Sequence, residues 1–177
     1  MASEDRTANL LGALAIAVTD LTEHGLAAAA GLSHTDAAAL LTLANYADGE
    51  PLSVLLDATG LSHAGVVRLA DRLEVRGLVR RLPGAGGDGR AVGLELTTAG
   101  RRLVAAARAG RSGALAGPLA ALTPGERRAL VPLLEKLLAA ATPDARASRV
   151  ICRLCDGDAC GHPARCPVTQ AAREAAA

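Results

Sequence analysis

The stretch Thr59-Gly60-Leu61-Ser62-His63-Ala64-Gly65-Val66-Val67-Arg68-Leu69-Ala70-Asp71-Arg72-Leu73-Glu74-Val75-Arg76-Gly77 decides how this chain is read. Thr59 to Ser62 has the composition of a tight turn, and Ser62 stands where a helix needs an N-cap: its hydroxyl can accept from a backbone N–H that lacks an intrahelical partner. From His63 to Arg76 the apolar residues Val66, Val67, Leu69, Ala70 and Leu73 recur at helical spacing, and Gly77 supplies the stop. Upstream, Leu52 to about Ala58 reads as a short helix after the break at Asp48-Gly49 and Pro51. Downstream, the period changes. Leu78 to Leu82 and Ala91 to Thr97 read as short strands around the tip Pro83-Gly84-Ala85-Gly86-Gly87-Asp88-Gly89, with Val92, Leu94 and Leu96 on one face and Glu95 on the other. A short helix, a glycine-containing turn, a capped second helix and a hairpin are the parts of a winged helix-turn-helix.

The flanks are helical. Leu10, Leu11, Leu14, Val18 and Leu21 mark a helix from Thr7 to about Ala29, stopped by Gly31. Ser33 with Asp36 three residues on is close to a capping box and opens a helix through Leu40, Leu41, Leu43 and Tyr46. Thr98 begins another helix, through Leu103, Val104 and Leu115. Thr123-Pro124-Gly125-Glu126 is a capping box with Pro at N1 and opens a helix through Leu130, Leu133, Leu134, Leu137 and Leu138, in which Pro132 predicts a kink or a restart. The expected fold is mainly α, a winged helix-turn-helix (33–100) between N-terminal (1–32) and C-terminal (101–148) dimerisation helices, followed by a Cys-rich motif and tail (149–177).

Composition bounds the partner. The net charge of +1 hides a segregation: residues 1–61 carry one base and eight acids, residues 62–102 eight Arg and four acids, and residues 103–149 seven bases and three acids. A basic middle can form a phosphate-binding face, although a solvated Arg-rich surface has the same composition. With one Tyr and neither Phe nor Trp, base stacking is disfavoured as a binding mode, and with it single-stranded nucleic acid and RNA. The longest apolar run, Leu10 to Val18, is short of the ~18–20 residues a membrane span needs, and Glu4 and Asp5 stand where a signal peptide would be basic. A cytoplasmic location with no membrane partner is expected.

In the capped helix the exposed positions are His63, Ala64, Gly65, Arg68, Asp71 and Arg72. An arginine there can bond guanine bidentately or hold a phosphate, and Arg90 at the hairpin tip can reach a minor groove or backbone. Leu61 to Arg81, Asp88-Gly89-Arg90 as a D-x-R wing, Leu96-Thr97-Thr98-Ala99-Gly100 as L-T-x-x-G and Thr123-Pro124-Gly125-Glu126 together resemble the MarR family of transcriptional regulators, over about residues 7–140. The resemblance implies a winged-helix homodimer whose first and last helices form the interface. It implies a pseudo-palindromic double-stranded DNA operator, base contacts from Ser62, His63, Val67 and Arg68, a phosphate contact from Arg72, and a wing contact from Arg90 positioned by Asp88. It also implies a small-molecule effector. Among the remaining polar residues, Asp71 is expected to pair with Arg68 or Arg72. Tyr46 is expected in the core with its hydroxyl at the surface, and His24 and His34 on the surface without partners.

All four cysteines fall in Cys152-Arg-Leu-Cys155-Asp-Gly-Asp-Ala-Cys160-Gly-His-Pro-Ala-Arg-Cys166-Pro167, a C-x2-C-x4-C-x5-C-P spacing. Two thiolates separated by two residues can share one metal centre, and the span resembles a zinc knuckle with Cys160 in the place of its His. The terminal Cys-Pro also resembles iron–sulfur ligation. Cys152, Cys155, Cys160 and Cys166 are therefore candidate ligands for Zn²⁺ or an iron–sulfur cluster, ahead of a reversible thiol switch and of structural disulfides.

No nucleophile–base triad order, P-loop, G-x-G-x-x-G or H-E-x-x-H is present, so an enzyme is not expected. The reading is a dimeric, sequence-specific DNA-binding regulator, a repressor, whose DNA affinity is linked to the metal, cluster or redox state of the cysteines. The alternative is a winged-helix protein–protein module with a purely structural zinc site.

Overall fold

The computed structural model describes residues 2–85 and 91–176. Helix α1 (Ala2–Ala30) is followed by α2 (His34–Thr42), a π-helical turn (Leu43–Ala47), α3 (Val54–Thr59) and α4 (His63–Val75). Strands β1 (Val79–Pro83) and β2 (Val92–Leu96) pair antiparallel, with Val79 opposite Leu96 and Pro83 opposite Val92. Then come α5 (Thr98–Ala120), α6 (Pro124–Ala140) and three short helices, α7 (Ala145–Cys152), α8 (Gly157–Cys160) and α9 (Pro167–Glu174). This is the mainly α, winged helix-turn-helix architecture that the turn and hairpin signals predict.

The caps work as their residue types require. Ser33 Oγ accepts from Asp36 N at 3.1 Å, Ser62 Oγ from Gly65 N at 3.3 Å, and Thr97 Oγ1 from Gly100 N at 3.1 Å. Gly60, at φ 67°, takes the left-handed conformation that lets α3 end and the chain turn into α4. Leu40, Leu41, Leu43, Leu55, Val66, Leu69, Leu73 and Leu94 form the core under this unit, each Leu contributing about 1.5–3 kcal/mol on burial. Asp36, buried, receives Arg72 Nη2 at 2.6 Å and Arg76 Nη1 at 3.3 Å, which ties α4 back onto α2.

Helix α1 lies along α5. Their backbones touch at Gly25 and Gly110, where a Cβ on Gly25 would stand 2.5 Å from the Gly110 carbonyl oxygen, so neither position admits a side chain as packed. Over Asp5–Ala30, α1 is long and apolar enough to cross a membrane by length and composition. The consecutive apolar run alone did not suggest this, because polar residues are spread along the helix without lowering its mean hydropathy enough. Leu10, Leu11, Leu14 and Ile16 on it are exposed. So are Val131, Leu133, Leu134, Leu137 and Leu138 on α6, a helix with no buried residue.

Four local expectations change. Helix α6 does not restart at Pro132 but is one helix from Pro124 to Ala140, carried by strong helix formers on both sides and fixed at its start by the capping box. Asp71 pairs not along its own helix but with Arg81 Nη2 on β1, at 2.6 Å. The Tyr46 hydroxyl is buried, because the C-terminal segment folds back over it. His24 Nδ1 lies 2.6 Å from the Asp20 carbonyl oxygen one turn back, and His34 meets Glu23 at 3.1 Å and Arg153 at 3.2 Å, so both have partners.

Candidate nucleic-acid interface and cysteine site

The outer face of α4 is set by its helical phase. Val66, Leu69, Ala70 and Leu73 point into the core, which leaves Ser62, His63, Val67, Arg68 and Arg72 exposed along one side. Salt bridges sort the arginines nearby. Arg72 and Arg76 hold Asp36, Arg80 is paired with Glu95, and Arg81 is paired with Asp71 and Glu74. The Asp71 and Glu74 carboxylates hold the Arg81 guanidinium above its usual pKa. Arg68 has no carboxylate partner among the described residues and is open to an external acceptor. The candidate wing residues Asp88 and Arg90 lie outside the described residues.

The C-terminal segment folds as a small helical module packed against α3, with Arg146, Val150 and Arg153 sharing a cleft with Ser62 and His63. All four cysteines line one cavity of about 470 Å³, together with Asn45, Tyr46 and Val54. They stand as two pairs. Cys160 Sγ and Cys166 Sγ are 3.8 Å apart, and the Cys152 and Cys155 thiols adjoin one another. Among the described residues no group of three or more His, Cys, Asp or Glu gathers as it would around one metal ion.

Each pair has one easily ionised thiol. Hydrogen bonding from Cys152 lowers the Cys155 thiol to about 6 against its burial, with Arg111 assisting. The same contact and burial push Cys152 up. Burial, with the neighbouring Cys166, pushes Cys160 up to about 11. Burial also opposes ionisation of Cys166, but hydrogen bonds from the Thr169 hydroxyl and backbone, from Cys160 and from Val168 N outweigh it and hold the thiol below its usual value. Cys166 is the N-cap of α9, where N–H groups without helical partners favour a thiolate.

Several connections tie this module to the helix-turn-helix unit and to α5, the His34–Arg153 contact among them, and no sequence signal marked them. Asn45, in the π-helical turn after α2, donates to the Cys155 carbonyl oxygen at 2.9 Å and accepts from Arg108 Nη2 on α5 at 2.8 Å. Arg108 also approaches Asp156 at 3.6 Å and Asp158 at 3.4 Å. On α3, Asp57 receives Arg149 at 2.7 Å and Arg146 at 3.2 Å, both from α7. The buried hydroxyls of Tyr46 and Thr42 adjoin one another beside the same cavity.

The capped second helix with its open arginine, beside a two-stranded wing, defines a winged helix-turn-helix protein. The MarR family model matches residues 30–91. Among solved structures, RV1404 from Mycobacterium tuberculosis is 25% identical with a TM-score of 0.64, the match covering 79% of this chain and 94% of that one. CouR from Rhodococcus jostii RHA1, solved bound to p-coumaroyl-CoA, is 25% identical with a TM-score of 0.58, over 76% of this chain and 92% of its own. The Mycobacterium tuberculosis MarR family protein Rv2887, in complex with p-aminosalicylic acid, is 28% identical with a TM-score of 0.53, over 72% and 97%. A search of curated proteins finds no match.

Proposed function

We propose that this chain is a dimeric, sequence-specific reader of double-stranded DNA that acts as a transcriptional repressor. Its affinity would be linked to Zn²⁺ or an iron–sulfur cluster held by Cys152, Cys155, Cys160 and Cys166. The observation that carries the DNA reading is Arg68. It projects from the exposed face of α4 without a carboxylate partner among the described residues, while Arg72, Arg76, Arg80 and Arg81 around it are all paired. Ser62, His63 and Val67 share its face and supply the short contacts to base edges, and Arg68 supplies a bidentate one. Arg72, half exposed, keeps Asp36 while its outer edge faces the backbone of a bound duplex. Asp88 and Arg90 at the tip would contact the neighbouring groove.

The exposed leucines of α1 and α6 support a homodimer, which presents two α4 helices to the half-sites of a pseudo-palindrome. A small-molecule effector fits the same reading. CouR and Rv2887 are each solved with a small molecule bound, and here a cleft of about 700 Å³ with Arg101, Val104 and Arg108 on its wall adjoins both α5 and the cysteine module.

The test is selection of duplexes from a randomised library by the full-length protein, followed by binding titrations at several salt concentrations. Recovery of an inverted repeat, bound with an affinity that falls steeply with salt, is expected. A reporter placed behind that repeat should lose expression when the protein is present. Absence of any salt-sensitive duplex binding would make the chain a protein–protein module instead.

A further inference from the structure

We propose that the cysteine cavity is the site of a [2Fe–2S] cluster, one iron on Cys152 and Cys155 and the other on Cys160 and Cys166, and that Asn45 and Asp57 connect its loading to the helix-turn-helix unit. This rests on the metal-linked reading above and narrows it to one cofactor.

The argument is geometric. A single tetrahedral ion with metal–sulfur bonds of about 2.3 Å needs every pair of its four sulfurs to stand about 3.8 Å apart. The Cys160–Cys166 separation of 3.8 Å meets that edge, and Cys152 and Cys155 adjoin one another. No three of these side chains gather around one point, however. Two close pairs facing each other across a shared space is the arrangement of a two-iron rhomb, in which each iron takes two thiolates and two bridging sulfides. A four-iron cluster takes one thiolate per iron and would keep the sulfurs of each pair apart. The cavity of about 470 Å³ has room for the added irons and sulfides, and Val54, Ala145 and Ala172 give it apolar walls. Tyr46 places a buried hydroxyl, adjoined by that of Thr42, at this cavity, a donor suited to a thiolate or sulfide. Arg111 and Arg153 supply positive charge beside Cys155, opposite in sign to the net 2− of an oxidised cluster with four thiolates.

Loading conserves electrons. Two ferric ions, two sulfides and four thiols give the oxidised cluster and release four protons. The module cannot change shape at Cys155 without moving Asn45, which donates to its carbonyl oxygen, or at α7 without moving Asp57, which holds Arg146 and Arg149. Asp57 lies in α3, the helix that leads through Gly60 into α4.

The test uses the full-length protein purified without oxygen, and the apo-protein reconstituted with ferric iron and sulfide. Two irons and two acid-labile sulfides per chain, with visible charge-transfer absorption, are expected. Cys155→Ser and Cys160→Ser should each lose both. Circular dichroism shows whether each variant still folds, and the wild-type stoichiometry decides the matter if one does not. Asn45→Ala should keep the iron and sulfide count but shrink the difference in duplex affinity between loaded and apo-protein, expected on the order of tenfold in the wild type. An unchanged difference in Asn45→Ala would overturn the connection through that residue. One zinc per chain, or one iron without sulfide, would overturn the cluster and leave a metal-linked regulator. Four irons with four sulfides would overturn the paired assignment. No metal under any condition would overturn the site altogether while leaving DNA binding to stand or fall on the library selection.

Discussion

At the scale of single residues, two arginines of α4 are alike in sequence and differ in what surrounds them. Arg68 has no carboxylate partner among the described residues, so Arg68→Ala is expected to weaken duplex binding by about 1–3 kcal/mol and leave the melting temperature unchanged. Arg72 holds the buried Asp36 carboxylate, whose side chain is only 8% exposed. Removing Arg72 leaves Asp36 with Arg76 alone, and Arg72→Ala should cost about 1–3 kcal/mol of stability, read as a lower denaturation midpoint. A change of equal size in both variants, in both assays, would show that the pairing does not separate them. The sequence pointed to both arginines, because polar residues on the outer face of an amphipathic helix follow from its period. It could not tell them apart, because Asp36 lies a whole helix away and nothing local marks the meeting. That the four cysteines meet at one cavity was legible for the opposite reason: they lie within one short window of sequence. Their division into two pairs was not, since it depends on how α7, α8 and α9 turn the chain between them.

At the scale of elements, the legible parts were those with local caps. Ser33, Ser62 and Thr123 mark helix starts by residue type alone, and each accepts the backbone N–H that the type predicts. Helices α7 and α9 escaped because they are short, with contacts on distant partners such as Asp57, 92 residues before Arg149. The capping box of α6 gives a pH prediction. Thr123 N and then its hydroxyl donate to Glu126, which holds that carboxyl below its usual pKa. A depressed folded-state pKa stabilises the fold fully above the unfolded value of about 4.3 and ceases to do so as pH falls through the folded value. Glu126→Gln should therefore melt below the wild type at pH 7, and the gap should close as the medium is acidified past the ordinary carboxylate range. A gap that is constant with pH would show that the charge of Glu126 is not what the cap uses.

At the scale of the whole molecule, charge and apolar surface divide the labour. The acids of residues 1–61 and the arginines of residues 62–102 separate along the chain, so a near-neutral protein can still present a basic reading face. The apolar surface lies elsewhere, on α1 and α6. Leu133 is 59% exposed, Leu137 49% and Ile16 68%. Leucines at this spacing on a helix with no buried residue require cover, since water-exposed apolar stripes of this extent mark interfaces. In the homodimer proposed above, a second copy would supply it and bring two α4 helices to one duplex. Replacing Leu133 and Leu137 with Arg places two charges in that interface, and the pair of substitutions should give a monomer by light scattering with the helical circular dichroism retained. The monomer should lose the gain from engaging both half-sites at once, on the order of a hundredfold or more in operator affinity, while single half-site binding and its dependence on Arg68 persist. A dimer that survives both arginines would move the interface off α6. A monomer that still binds the inverted repeat as tightly as the wild type would show that dimer geometry plays no part in reading DNA.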